Sequence, residues 1–201
     1  MSGAGLRRAD LDPDPLRQFA LWYAQAADAV PAPEAVVLAT ASATGAPSAR
    51  MVLMKGFDQR GFVLYTNYFS RKGQEIAQNP RAAMLFHWQP LGRQVRIEGA
   101  VHRIDAAESD AYFATRAHGS RLSAAASPQS RPVESRAVLE DAVAQLAARH
   151  PDGEVRRPDE WGGLRLVPVA YEFWQHGEDR LHDRFRYCQE GEAWIVERLG
   201  P

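Results

Sequence analysis

The sequence predicts an α+β fold, an antiparallel barrel-like sheet of six or seven strands with helices on its outside. Short β-rich runs are separated by turn signals. Segments of helical apolar spacing stand at the N-terminus and between residues 105 and 150 rather than after every strand. A chain of 201 residues that is 45% hydrophobic also buries one substantial core. Residues 1–12 are expected as a flexible N-terminal segment and 13–201 as a single domain.

Each element has its own signal. "DPLRQFALWYAQAADA" (14–29) follows a Pro-Asp-Pro start and spaces Leu16, Phe19, Ala20, Trp22 and Tyr23 as an amphipathic helix. "AVVLATAS" (35–42), "SARMVLMKGFD" (48–58) and "GFVLYTN" (61–67) read as an antiparallel meander, with "ATGAP" and "DQRG" as turns. "SRKGQEIAQNP" (70–80) is a short helix with Ser70 as N-cap and Asn79-Pro80 as its stop. "RAAMLFHWQP" and "RQVRIEGAVHRI" are two more strands. Residues 105–116 and 134–150 are helices with acidic starts and basic ends, which suit the helix dipole. "SRLSAAASPQSRP" between them has the serines and prolines of a flexible loop. Strands return at 164–175, 180–188 and 192–199.

Composition excludes several classes. The net charge of −1 gives no general attraction to nucleic acid or an anionic membrane. No apolar run approaches the roughly 18 residues of a membrane span, and the N-terminus lacks the apolar stretch of a signal peptide. Cys188 is the only cysteine, so no internal disulfide and no Cys-based zinc site exists. A cytoplasmic location is expected. His176, Glu178 and His182 match no zinc spacing, and no metal is expected. Trp88, Trp161 and Trp194 are expected in the core.

The basic residues carry more information. Of 24 basic residues only Lys55 and Lys72 are lysines. A compact ammonium suits a tight phosphate or ring-edge contact better than the planar arginine fork. In "ARMVLMK", Arg50 and Lys55 stand at the ends of an apolar strand, which fits a ligand running past it or a buried strand with solvated ends. Arg71 and Lys72 fall in the first turn of a helix, where cations oppose the dipole unless an anion is present. With Ser70 and free backbone N–H groups they make a phosphate cradle without a Walker-type loop. In "EDRLHDRF", Arg180, His182 and Arg184 alternate. On a strand they would share one face, either an anion receptor or a solvated edge.

Together, "RMVLMK", "YTN..SRKGQE", "RQVRIEG", "SPQSRP", "WGG", "EFWQHGEDRLHDRF" and the closing "ERLGP" resemble the pyridoxamine/pyridoxine 5′-phosphate oxidase family, in the family's order and from about residue 5 to the C-terminus. The resemblance implies an FMN-binding split β-barrel, a homodimer with two sites at the subunit interface, and oxidation of a phosphorylated B6 vitamer to pyridoxal 5′-phosphate with O2 as acceptor and H2O2 as product. It places FMN at Arg50, Met51, Val52, Leu53, Met54, Lys55, Tyr65, Thr66, Arg71, Lys72, Gln94, Gln129, Ser130, Trp174 and Arg184. It places the substrate at Lys55, Tyr112, Arg116, Ser120, Arg180 and His182, with Arg180 and His182 as the catalytic pair. Arg180, His182 and Leu181 are then expected on a strand, with Leu181 turned into the core.

The family often carries an Arg-x-x-Tyr element before "GLRR..DL", which is not among these residues, so turnover and selectivity are where a departure is expected. Two alternatives follow from that. One is a flavin oxidase of the same fold acting on a dihydrophenazine-type substrate in secondary metabolism. The other is a non-catalytic flavin- or pyridoxal-phosphate-binding protein.

Overall fold

The computed structural model describes residues 5–151 and 153–201. Its centre is one antiparallel sheet. The strands are β1 (Ala35–Ala41), β2 (Pro47–Leu53), β3 (Gly56–Asp58), β4 (Gly61–Asn67), β5 (Arg81–Trp88), β6 (Arg93–Arg103), β7 (Trp161–Gln175), β8 (Asp183–Glu190) and β9 (Ala193–Leu199). Seven of them follow one path, β2-β1-β5-β6-β7-β4-β3, while β8 pairs with β7 and β9 with β8. The predicted run 48–58 is therefore two strands, broken at Met54 and Lys55.

The helices α1 (Pro15–Ala29), α2 (Arg71–Gln78), α3 (Ala106–Thr115), α4 (His118–Ala126) and α5 (Arg136–Arg149) lie outside the sheet's hydrogen-bond ladder. Asp14 caps α1 by accepting from Leu16 N, and Pro15 sits where its missing N–H costs nothing. The buried face of α1 plugs the barrel. Phe19 meets Phe57 and Phe62 edge-on at 4.9 Å and Phe86 at 5.1 Å, while Trp22 meets Phe173 at 5.2 Å. A second, smaller cluster of Phe113, Leu122, Val155 and Trp161 packs α3 and α4 against the start of β7.

Strand β7 has a special position. Along one edge it pairs with β6 at 164–175; along the other it pairs with β4 at 161–166 and with β8 at 170–175. The exchange of partners falls at 167–169, where Pro168 has no N–H to give a ladder, opposite a bulge at Glu98/Gly99.

Two sequence expectations are corrected. Residues 120–126 are helical rather than loop, because Leu122 buries against the second cluster and an alanine run continues the turn until Pro128. Arg180 and His182 do not lie on a strand. β7 ends at Gln175, residues 176–182 form a turn, and β8 begins at Asp183. Asp179 and Arg180 both adopt left-handed backbone, φ +51° and +62°, which an extended strand cannot contain. Leu181 consequently points outward and is 72% exposed.

Residues 5–12, the described part of the segment expected to be flexible, lie against β8 and β9. Leu6 N donates to Asp183 Oδ2 at 2.8 Å, Arg198 Nη2 to Leu6 O at 2.9 Å, and Tyr187 Oη to Asp12 O at 2.7 Å. Residues 1–4 lie outside the described residues. Among the described residues, no helix is long and apolar enough to cross a membrane.

Candidate active site

A cavity of about 270 Å³ opens between β2, β4, the start of α2 and the end of α3. Its wall holds Met51, Val52, Leu53 and Lys55 from the β2 region, Tyr65 and Thr66 from β4, and Lys72, Tyr112, Arg116 and Gln129 from the surrounding helices and loop. Ten of the residues expected at FMN or substrate thus share one space. Trp161 completes it and was expected only as core.

The cradle at one end is built by a helix start. Ser70 caps α2, its Oγ accepting from Gly73 N at 3.4 Å and from Lys72 Nζ at 3.3 Å. Lys72 Nζ also donates to Gln129 Oε1 at 3.1 Å, which Thr66 Oγ1 reaches at 3.0 Å. Gly73 is required here: a Cβ would stand 2.2 Å from Tyr68 O. Burial first, and the Arg50 cation second, pull Lys72 down to about 8. An anion bound at the cradle would relieve both effects.

Behind the cradle stands a buried carboxylate that sequence reasoning passed over. Glu75 accepts from Thr40 Oγ1 and Ser48 Oγ at 2.5 Å, from Arg71 Nε at 2.9 Å and from Arg50 Nη2 at 3.2 Å. Burial alone would raise its pKa, yet the bonds from Ser48, Thr40, Arg71 and Arg50 outweigh that and hold it at about 2. The i,i+4 spacing from Arg71 was its only sequence signal. Arg50 spends its Nη donors on Leu38 O, Thr40, Ser48 and Glu75, so it supports the cradle from behind and does not line the cavity. Met54 turns into the core, 4% exposed.

The other end of the cavity is aromatic and cationic. Tyr65, Tyr112 and Trp161 stack nearly parallel, with Tyr65 and Tyr112 centroids 3.8 Å apart. The Arg116 guanidinium lies 4.6 Å from the Trp161 ring centroid. Its Nη1 is buried and has no hydrogen-bond partner among the described residues. Such a group calls for an acceptor from outside the chain. Ser120 and Ser130 are exposed and do not reach this wall.

The remaining expected residues form a second group. Gln94, Trp174 and Arg184 are cross-strand neighbours in one row over β6, β7 and β8. Arg184 Nε donates to Glu172 Oε1 at 2.8 Å, and the buried Glu172 also accepts from Arg96. The turn beyond them brings His182 to 4.6 Å from Trp174, ring centre to ring centre. Gly177 N donates to His182 Nδ1 at 3.2 Å, which leaves Nε2 as the ring atom free to give a proton. A Cβ on Gly177 would lie 2.0 Å from Leu181 O. Trp174 lines a different, larger cavity with His87 and His176.

A barrel-like antiparallel sheet enclosing a cavity with Lys72 at a helix start and Arg116 against stacked aromatic rings defines a split-barrel protein. Residues 24–150 match the family model described as pyridoxamine 5′-phosphate oxidase, and residues 161–201 match the pyridoxine 5′-phosphate oxidase C-terminal dimerisation region. The chain belongs to the pyridoxamine 5′-phosphate oxidase family. It is 55% identical to a pyridoxine/pyridoxamine 5′-phosphate oxidase of Rubrobacter xylanophilus over 98% of this chain and 92% of that one. A protein of the same name from Gloeothece citriformis is 53% identical over 98% and 93%. Among solved structures, PhzG from Burkholderia lata 383, in complex with tetrahydrophenazine-1-carboxylic acid, superposes with a TM-score of 0.92 at 32% identity over the whole of both chains. A pyridoxamine 5′-phosphate oxidase-related, FMN-binding protein from Nostoc punctiforme shares the fold, with a TM-score of 0.75 at 18% identity over 95% of this chain and all of that one.

Proposed function

We propose that this chain is an FMN-dependent oxidase that converts pyridoxamine 5′-phosphate and pyridoxine 5′-phosphate to pyridoxal 5′-phosphate, reducing O2 to H2O2. The observation that carries the reading is the presence of separate cations in one cavity, Lys72 beside Ser70 at the helix start, with Arg116 and Lys55 also on the wall. Two phosphate groups, one on the cofactor and one on the substrate, match them. The relatives above 50% identity bear the oxidase name, whereas the phenazine-binding structure stands at 32%.

The residues present fit FMN. Lys72 and Arg71 would hold its phosphate, with Arg50 and Glu75 fixing the cradle, and Thr66 and Gln129 would bond along its length. The bound flavin supplies a two-electron acceptor that O2 regenerates. Around it the chain binds, orients and excludes water. Arg116 and Lys55 would anchor the substrate phosphate, and Tyr112 would cover it. Arg180 would orient the substrate and stabilise charge, with His182 exchanging a proton at Nε2.

The two groups of site residues lie toward opposite ends of one long strand and have to be brought together. Trp161 and Trp174 stand 13 positions apart on the single strand β7, a span of about 40 Å. A homodimer in which each site takes the Trp161 end from one protomer and the Trp174 end from its partner resolves this, and the match to a dimerisation region supports it. A cytoplasmic location fits the lone, unpaired Cys188. The test is to purify the protein, record its flavin spectrum and sedimentation, and add pyridoxamine 5′-phosphate. A yellow dimer that bleaches without oxygen and releases peroxide with it is expected. A colourless protein, or a yellow one inert to this substrate, would overturn the reading.

A further inference from the structure

Trp161 has no role in the cradle and none in the second group, yet it forms part of the cavity wall and is only 6% exposed. Its indole ring lies under the Arg116 guanidinium at 4.6 Å, and Phe113 flanks the same guanidinium at 5.7 Å. Among the described residues Arg116 has no ion pair to hold it, and its buried Nη1 is unpaired. Aromatic faces therefore fix its position. Partial burial also disfavours its charged form, and among the described residues no carboxylate pairs with it to offset that cost.

The tryptophan is itself braced. Arg157, 9% exposed at its side chain, donates from Nη1 to Trp161 O at 2.6 Å and from Nε to Asp110 Oδ1 at 2.6 Å. Asp110 belongs to α3, the helix that carries Tyr112 and Phe113 and ends at Arg116. The Tyr112 ring lies 5° from parallel to the Trp161 ring. One brace thus ties the strand bearing the indole to the helix bearing the guanidinium.

We propose that Trp161 is a positioning residue for substrate recognition: its indole face holds the Arg116 fork in place, so that Nη1 is ready for the substrate's phosphate dianion and the enzyme distinguishes phosphorylated from unphosphorylated vitamers. The inference rests on the oxidase reading above. A planar guanidinium on an aromatic face keeps its donors in a fixed plane. Without that face the fork must be ordered anew for each substrate molecule, at a cost in binding.

The test compares Trp161→Leu and Trp161→Phe with the wild-type holoenzyme. Wild-type turnover of pyridoxamine 5′-phosphate is recorded first, since its absence defeats the oxidase reading and not this proposal. Trp161→Leu is expected to raise KM for pyridoxamine 5′-phosphate, and the inhibition constant of inorganic phosphate, by roughly tenfold. Flavin content and kcat should stay within about twofold, and kcat/KM for unphosphorylated pyridoxamine should not change. Trp161→Phe should restore most of the loss. Unchanged KM in a folded Trp161→Leu enzyme, or equal losses with phosphorylated and unphosphorylated substrate, would overturn the proposal. If Trp161→Leu does not fold, Arg116→Lys carries the test, because it keeps the charge and loses the stacked plane. A KM equal to wild type in Arg116→Lys would then refute the role of the indole.

Discussion

Replacing Lys72 by methionine removes an ammonium that reaches Ser70 Oγ at 3.3 Å and Gln129 Oε1 at 3.1 Å, and keeps most of the aliphatic stem. A charge-assisted contact to phosphate contributes about 1.5–3 kcal/mol, so FMN affinity should fall roughly ten- to a hundredfold. The pH dependence is the sharper test. A phosphate monoester becomes a dianion through a pKa of about 6, and Lys72 in the free protein is held down to about 8. Binding should be tightest between these values. Above about 8 the free protein has lost the Lys72 proton, which an anion would restore, so affinity should decline by up to about tenfold per pH unit until the bound form also titrates. In the absence of ligand the sign reverses: because the folded pKa lies below the unfolded one, this lysine's contribution to stability improves as pH rises from about 8 to its ordinary 10.5. Flavin fluorescence quenching by the apoprotein, titrated across pH, measures both limbs. Lys72→Met should keep the acid limb and lose the alkaline one. An alkaline limb identical in variant and wild type would remove Lys72 from the phosphate site.

The other variants probe the groups around it. Glu75→Gln should lower stability by about 2–4 kcal/mol in urea unfolding, since it strips a buried carboxylate from two arginines and two hydroxyls. Because Glu75 is held at about 2, below its ordinary 4.5, its stabilisation is full above about 4.5 and fades toward 2; the variant's acid-unfolding curve should be flatter over that window. Arg180→Ala should purify yellow and lose a few kcal/mol in kcat/KM, whereas Arg184→Ala should purify with less flavin and regain activity as FMN is added; equal flavin loss in both would refute the division of labour. Leu181→Ala, at a side chain 72% exposed, should shift stability by no more than about 0.5 kcal/mol, and a large drop in melting temperature would contradict its outward position.

Much of this site was legible because its chemistry is local. The cap, the cradle lysine and the helix start all lie within "SRKG", and the structure assembles them with Ser70 as N-cap and Lys72 beside it. The strands bearing Tyr65 and Met51 announced themselves by composition. What stayed hidden depended on tertiary placement. Glu75 looks like any helix carboxylate until Thr40 of β1 and Ser48 of β2 meet it. Trp161 looks like core because burial and cavity lining are indistinguishable in a single apolar letter. The alternation of Arg180, His182 and Arg184 misled because a period of two signals a face only if the backbone is extended, and Asp179 and Arg180 both adopt left-handed φ values, which Asp tolerates but Arg does not announce. The helix α4 was masked by serines whose neighbours, Leu122 and the alanines, supplied the packing and propensity that decided it.

The placement of β7 also orders events during synthesis. β4, which carries Tyr65 and Thr66, has the three-residue β3 on one edge and β7 on the other. A ribosome that has released residues up to 150 has therefore produced the cradle helix and all six strands of the seven-strand path other than β7, but β4 and β6 each lack a neighbour along the edge that β7 will fill. Such exposed edges favour pairing with other chains. Closure of the barrel is long-range and late, and only when it is complete does Trp161 stack on Tyr65 in the cavity wall. A nascent chain stalled before β7 therefore has an incomplete cavity wall and two open strand edges.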